Sequence, residues 1–268
     1  MSSMRMMISN LKNLNKAFHK SIDVIINTLY PTECLKCQDK TVSTAGNSAY
    51  LCQTCRDNLV SKNVCRCSFC GAYLPDQSLA YDTDCQICRQ LDHGIIGLIS
   101  ISRYEPSTCL AELILRLKHS NQTYIGNTLG YLLSEKIQKL GLQNSINVVT
   151  AVPLHYTRLI KRGYNQADLI AEACAKGLNY DFYPWILRRK IRTKPQSGSP
   201  FKRKRNVENA FHNRAFLRNA SVLLVDDVFT TGSTTIECAR CLLEGGADHV
   251  LIGTCAWVPM GIYQNKGN

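Results

Sequence analysis

The chain has 268 residues, 45% of them hydrophobic, with 32 Lys and Arg against 20 Asp and Glu. That is enough apolar material for one large core or two modest ones, which excludes a wholly disordered chain. A formal charge of +12 directs attention to polyanionic partners, nucleic acid or phosphate, without choosing between them.

The first segment with a pattern is residues 8–30. Ile8, Leu11, Leu14, Phe18, Ile22, Ile25, Ile26 and Leu29 recur at helical spacing and stop at Pro31. This reads as an amphipathic helix packing on its own protein. The first residues lead into Leu11 to Phe18, a polar and basic stretch without the continuous apolar run of a secretory signal. No stretch approaches the roughly 20 apolar residues of a membrane helix. A cytoplasmic, reducing location is therefore expected, where thiols are kept for metal and not paired as disulfides.

Residues 31–93 carry the cysteines. Of 14 in the chain, nine fall before residue 90. Eight of them make four Cys-x-x-Cys knuckles: Cys34 with Cys37, Cys52 with Cys55, Cys67 with Cys70, and Cys85 with Cys88. Fourteen residues separate the first knuckle from the second, and again the third from the fourth. A knuckle turns two thiolates toward one metal, and a second knuckle brought back by a hairpin completes a tetrahedral shell. The expectation is a small zinc-ribbon domain with one or two structural Zn2+ ions. Knuckle 1 pairs with 2 and 3 with 4 on this reading; the interleaved pairing, 1 with 3 and 2 with 4, stays open. Cys65 is left over.

Residues 94–268 alternate strand and helix. Residues 95–104 form an apolar, β-branched strand. A helix after Pro106 places Leu110, Leu113, Ile114 and Leu117 on one face, and a second helix covers about 124–139. Then follow a strand at 146–152, a helix at 166–176, a possible strand at 183–187 and a short basic helix at 201–211. A strand at 221–225, a helix at 233–243 and a closing strand at 250–256 complete the series. Such alternation implies an α/β fold with a mainly parallel sheet and flanking helices.

The most specific signal is the strand-to-helix turn after residue 225. An apolar strand runs into Asp226 and Asp227, then Val228, Phe229, Thr230, Thr231, Gly232, Ser233 and Thr234. Backbone N–H groups, hydroxyls and a helix N-terminus together suit a phosphate dianion, at the strand end where α/β sheets place ligands. Gly232 keeps a Cβ out of the way. The two carboxylates suit ribose hydroxyls and Mg2+. A Walker A loop is excluded because no Gly-Lys-Ser/Thr ending is present.

This turn resembles the phosphoribosyl pyrophosphate (PRPP) signature of type I phosphoribosyltransferases. With the cysteine-rich front, the chain resembles the ComF family of competence-associated proteins over about residues 25–257. Further landmarks are Tyr104, Leu117-Lys118, Val152-Pro153-Leu154-His155, Arg158, Arg162-Gly163-Tyr164-Asn165-Gln166, Gln196, Arg205-Asn206-Val207 and Ala210-Phe211. The resemblance implies a type I phosphoribosyltransferase-like domain in which Asp226 and Asp227 hold the ribose and residues 230–234 the 5′-phosphate. It implies that Val152 to Leu154 flank pyrophosphate, with Arg158 and Arg162 as counter-charges. Function in natural transformation and DNA uptake, with other competence proteins as partners, is implied likewise.

Between Ile186 and Arg218 lie eleven cations, among them Arg188, Arg189, Lys202, Arg203, Lys204 and Arg205, against the single acid Glu208. Pro, Gly and Ser among them suggest a mobile loop. Such a loop either closes over PRPP or neutralises the backbone of single-stranded DNA. Three functions remain in play: a phosphoribosyltransferase of unidentified acceptor, a single-stranded-DNA-binding protein without turnover, and a PRPP-sensing regulator. The regulator is disfavoured by the lack of a helix-turn-helix.

Overall fold

A computed structural model describes residues 32–41, 50–59, 93–189 and 210–258. Several expectations lie outside those residues: the helix at 8–30, the third knuckle (Cys67 and Cys70), the fourth knuckle (Cys85 and Cys88) and the leftover Cys65. Lys202, Arg203, Lys204 and Arg205 lie outside them too. The chain divides into two compact units, Met1–Arg56 and Asp57–Asn268.

In the first unit, β1 (Thr32–Glu33) pairs antiparallel with β2 (Lys40–Thr41), Glu33 opposite Lys40. The connecting turn is closed by Cys34 N–H donating to Asp39 O at 2.7 Å. Gln38 takes a left-handed φ of 62° there. The short helix α1 (Gln53–Asp57) begins one residue after Cys52.

The second unit is built on a parallel sheet in the order β3-β8-β7-β4. Its strands are β3 (Ile95–Arg103), β4 (Val148–Ala151), β7 (Ser221–Phe229) and β8 (His249–Trp257). All three interstrand pairings are parallel, as expected where helices separate successive strands. The expected strand 221–225 runs on to Phe229, because β8 continues to pair with it: Asp226 lies opposite Thr254, and Val228 opposite Ala256.

Helices cover both faces. On one side α3 (Tyr124–Lys139) packs on α5 (Gln166–Leu178), and both lie on the sheet. On the other side α6 (Ser233–Glu244) joins a core with Val222, Leu224, Val250 and Ile252. The period-two alternation of β7 thus sends Val222 and Leu224 to one core and the equally buried Leu223 and Val225 to the other. Helix α2 (Cys109–His119) buries Leu110, Leu113, Ile114 and Leu117, the face its spacing predicts. Thr108 caps it, its side chain accepting from Ala111 N–H at 3.3 Å. The short helix α4 (Tyr156–Arg162) buries no residue and ends at Gly163, φ 79°. Among the described residues no helix is long and apolar enough to cross a membrane.

Two expectations are corrected. The strand expected at 183–187 is β5 (Leu187–Arg189), and residues 183–186 form a turn containing Pro184, which has no N–H to give a ladder. Phe211 does not end a helix. It begins β6 (Phe211–Asn213), which pairs antiparallel with β5, Arg189 opposite Phe211 and Arg188 opposite His212. Arg188 and Arg189 therefore stand on a paired strand and not in a loop.

The close approach of α3 and α5 depends on a missing side chain. A Cβ on Gly130 would meet the Ile170 carbonyl, with Ala173 Cβ at 2.6 Å and Cys174 N at 2.9 Å. Gly130→Ala should lower stability by about 1–3 kcal/mol although alanine is the better helix former. The midpoint of urea unfolding checks this; an unchanged or raised midpoint contradicts the packing described.

Candidate functional site

A cleft of about 230 Å³ opens at the carboxyl ends of β4 and β7. Its walls combine segments far apart in sequence: Lys118 at the end of α2, residues 152–155 after β4, Arg158 and Arg162 of α4, and Asn165 to Ala167 opening α5. Arg189 of β5, Asp226 to Val228 and Thr230 to Thr235 complete it. The structure therefore brings together Asp226, Asp227 and Thr230 to Thr234 of the turn with both candidate arginines of α4, while Phe229 is buried in the core. Of the loop cations it adds Arg189. Arg188 does not line this cleft.

The two acids are held differently. Asp226 Oδ1 accepts the Asp227 N–H at 2.8 Å and its Oδ2 accepts the Thr235 hydroxyl at 3.0 Å. Asp227 Oδ2 pairs with Lys118 Nζ at 3.0 Å. Burial, and then the charge of Asp227 beside it, push the Asp226 carboxyl up to about 7, against the pull of the two hydrogen bonds and Lys118.

The turn that follows is shaped by Gly232. Its φ of 74° is the left-handed conformation that glycine adopts freely, and a Cβ there would meet the Phe229 ring. Gly232 caps α6 with no side-chain hydrogen bond. The Thr231 hydroxyl instead bonds the Ser233 hydroxyl at 3.0 Å. Thr230 and Thr231 are exposed, Ser233 and Thr234 half-buried. First-turn amides, hydroxyls and the positive end of a 12-residue helix thus share one place.

Opposite stand the cations. Arg162 Nη1 donates to Gln166 Oε1 at 2.8 Å. Gln166 is buried, and its Nε2 has no hydrogen-bond partner among the described residues, a donor on the cleft wall. Arg189 lies with its guanidinium carbon 5.3 Å from the Phe211 ring centre. Burial lowers its pKa, and the charge of Arg158 adds to that. His155 caps α4, its Nδ1 2.8 Å from the Thr157 hydroxyl. Burial, then Arg189 and Arg158, depress its pKa and favour the neutral ring. Asn165 ties the elements together: its Nδ2 donates to Val152 O at 3.1 Å and to Asp168 Oδ1 at 2.8 Å.

Lys118 and Thr235 were missed as site residues by sequence reasoning. Lys118 belongs to an ordinary amphipathic helix, and its pairing with Asp227 is tertiary. Thr235 lies one residue beyond the hydroxyl run that marked the turn.

A second constellation lies in the first unit. The sulfurs of Cys34, Cys37, Cys52 and Cys55 all lie within 4.8 Å of one another. This is the pairing of knuckle 1 with knuckle 2. Cys37 Sγ and Cys52 Sγ are 3.6 Å apart, and Cys52 N–H points at Cys34 Sγ at 3.4 Å. Burial opposes ionisation of Cys34, but backbone N–H groups of Cys37, Cys52 and Lys36 outweigh it and bring its pKa to about 6. Burial pushes Cys55 upward, as do its neighbouring thiols. The donor set can hold a metal ion: a tetrahedral thiolate shell with metal–sulfur bonds of about 2.3 Å has sulfur–sulfur edges of roughly 3.8 Å. The matching expectation for Cys67, Cys70, Cys85 and Cys88 falls outside the described residues, so the cluster seen accounts for four of the eight knuckle cysteines.

No family model matches the chain. It is 33% identical over 207 residues to DNA utilization protein YhgH of Salmonella typhimurium, covering 75% of this chain and 88% of the relative. It is 32% identical over 211 residues to Competence protein F of Haemophilus influenzae, with coverage of 75% and 88%. Competence protein ComFC of Bacillus subtilis matches at 27% over 203 residues, covering 73% of this chain and 79% of that one.

The raised pKa of Asp226 has a consequence for stability. The folded state holds this proton more tightly than the unfolded state, where the pKa is 3.8, so stability falls as pH rises from about 4 to about 7. Asp226→Asn should remove that part of the fall. Urea unfolding of both proteins at about pH 5 and about pH 8 measures it; equal pH dependence in the two contradicts it.

Proposed function

Since the chain belongs to the ComF family of competence and DNA-utilization proteins, we propose that its cleft binds PRPP, as a phosphoribosyltransferase-like site serving DNA uptake. The observation that carries this is the pair Asp226 and Asp227, set at a strand end directly before an amide- and hydroxyl-lined turn and facing Arg158, Arg162 and Arg189. A doubly phosphorylated sugar needs that division: acceptors in the middle for its hydroxyls, donors and cations at both ends for its phosphates.

On this reading Thr230 to Thr234 receive the 5′-phosphate with the first-turn amides of α6. Asp226 and Asp227 accept from the ribose hydroxyls, and Lys118, now on Asp227, turns to the phosphates. Arg158, Arg162, Arg189 and the spare N–H of Gln166 take the pyrophosphate side. If a nucleophile attacks the anomeric carbon, the C1–O bond to pyrophosphate breaks and these donors stabilise the leaving oxygen. Mg2+ supplies further neutralisation of the pyrophosphate when bound. Calorimetry of the full chain with PRPP and Mg2+ should show binding, lost when Asp226→Ala and Asp227→Ala are combined. Unchanged affinity in the double variant overturns the assignment.

A second reading, single-stranded DNA binding without turnover, is favoured by the names of the relatives and by cationic β5 beside the cleft. Binding should weaken steeply with salt, and charge reversal at Arg203 and Arg205 should reduce it. A salt-independent interaction contradicts this reading.

The four-cysteine cluster is proposed as a structural zinc site, closed by four thiolates and so without an open position for catalysis. The second pair of knuckles, Cys67 and Cys70 with Cys85 and Cys88, is proposed as another on its spacing alone. Cys55→Ser should lower the zinc content of the purified chain by about one equivalent, read by elemental analysis. Unchanged zinc content contradicts the first site.

A further inference from the structure

A second cavity, about 360 Å³, adjoins the cleft and shares with it Pro153, Leu154, His155, Asn165 and Arg189. Three large side chains around it stay close to half exposed: Tyr156 at 48%, Leu159 at 42% and Trp185 at 49%. Trp185 stands edge-on to Tyr183, with ring centres 6.1 Å apart and planes at 87°. Tyr183 is in turn pinned to the edge strand β4, its N–H donating to Val149 O at 2.9 Å and its carbonyl accepting the Thr150 hydroxyl at 2.8 Å. The aromatic wall is therefore held in place by the sheet.

Polar groups sit beside it. Asp168 lines the cavity with one carboxylate oxygen bonded to Asn165. Its other oxygen has no hydrogen-bond partner among the described residues. Arg188 on β5 is exposed on the same cavity. A rigid aromatic face, an acceptor within reach of it and a cation at the rim match a base and its adjoining phosphate. The openness of the aromatic rim and the run of cations continuing from Arg188 along the sequence favour a base on a strand over a free one.

We propose that this cavity receives an unpaired nucleobase of a single strand, stacked on Trp185, with Asp168 accepting from the base and Arg188 meeting the adjoining phosphate. The proposal rests on the DNA-handling reading and is independent of PRPP. It places nucleic acid next to the cleft, where His155 and Arg189 border both cavities.

The chain's two tryptophans differ in access, Trp257 being 5% exposed, so a change of emission on stacking belongs to Trp185. The test uses the full chain at low salt with an oligodeoxycytidine of about ten nucleotides, an abasic oligomer of the same length and free cytidine. The base-bearing strand should quench tryptophan emission and bind more tightly than the abasic one. Trp185→Ala should weaken its binding about tenfold, while Trp185→Phe retains most of it. Equal binding of the two oligomers, unaffected by Trp185→Ala, overturns the proposal and leaves strand binding standing. Free cytidine binding as tightly as the strand also overturns it, in favour of a small-molecule site. No binding of either oligomer overturns both readings.

Discussion

The end of β7 carries a pair of acids in a half-buried place, and the surrounding structure is arranged to hold them there. Desolvated carboxylates side by side repel, and without partners the strand end would be unstable. Asp226 is bound at both oxygens, by the Asp227 N–H and the Thr235 hydroxyl, and Asp227 is paired with Lys118. Thr235 belongs to the first turn of α6 and Lys118 to the last turn of α2, so two helices meet the strand at this point. The acids thereby fix where the hydroxyl turn lies and which way α6 starts.

That constraint explains why the core is organised as it is. Strand β7 is central, paired on both sides, and its alternate residues supply two cores. A strand buried on both faces has little freedom to shift register, and its carboxyl end is held with corresponding firmness. The opposing wall is less deeply anchored. Helix α4 buries none of its residues, and its arginines depend on local contacts such as Arg162 with Gln166. A rigid acid-and-hydroxyl side facing a cationic side on an exposed helix suits a ligand whose charged ends differ in how far they must move.

Much of this was legible in the sequence because it is local. The helical face of α2, the span of α3, the strand expected at 95–104 and the turn at 226–234 are written in short-range periodicity and residue type. The first thiol cluster followed from knuckle spacing. What stayed hidden is tertiary: Lys118 reaching Asp227, Thr235 closing on Asp226, and Asn165 joining Val152 to Asp168. Composition misleads at Arg188 and Arg189, the start of a basic run whose Pro, Gly and Ser suggest a loop. Its first cations instead stand on β5, whose pairing with β6 the local pattern did not reveal. Acids seldom continue a buried strand, so the sequence points to a strand ending at Val225; the pairing with β8 carries it past them.

Crystals of the chain soaked in PRPP and Mg2+ test the central claim most directly. The account predicts the 5′-phosphate against the amides and hydroxyls of residues 230–234, and both ribose hydroxyls within hydrogen-bonding distance of Asp226 and Asp227. Lys118 should then have moved off Asp227. A sugar phosphate bound elsewhere, with the Lys118–Asp227 pair intact and the turn empty, would contradict it.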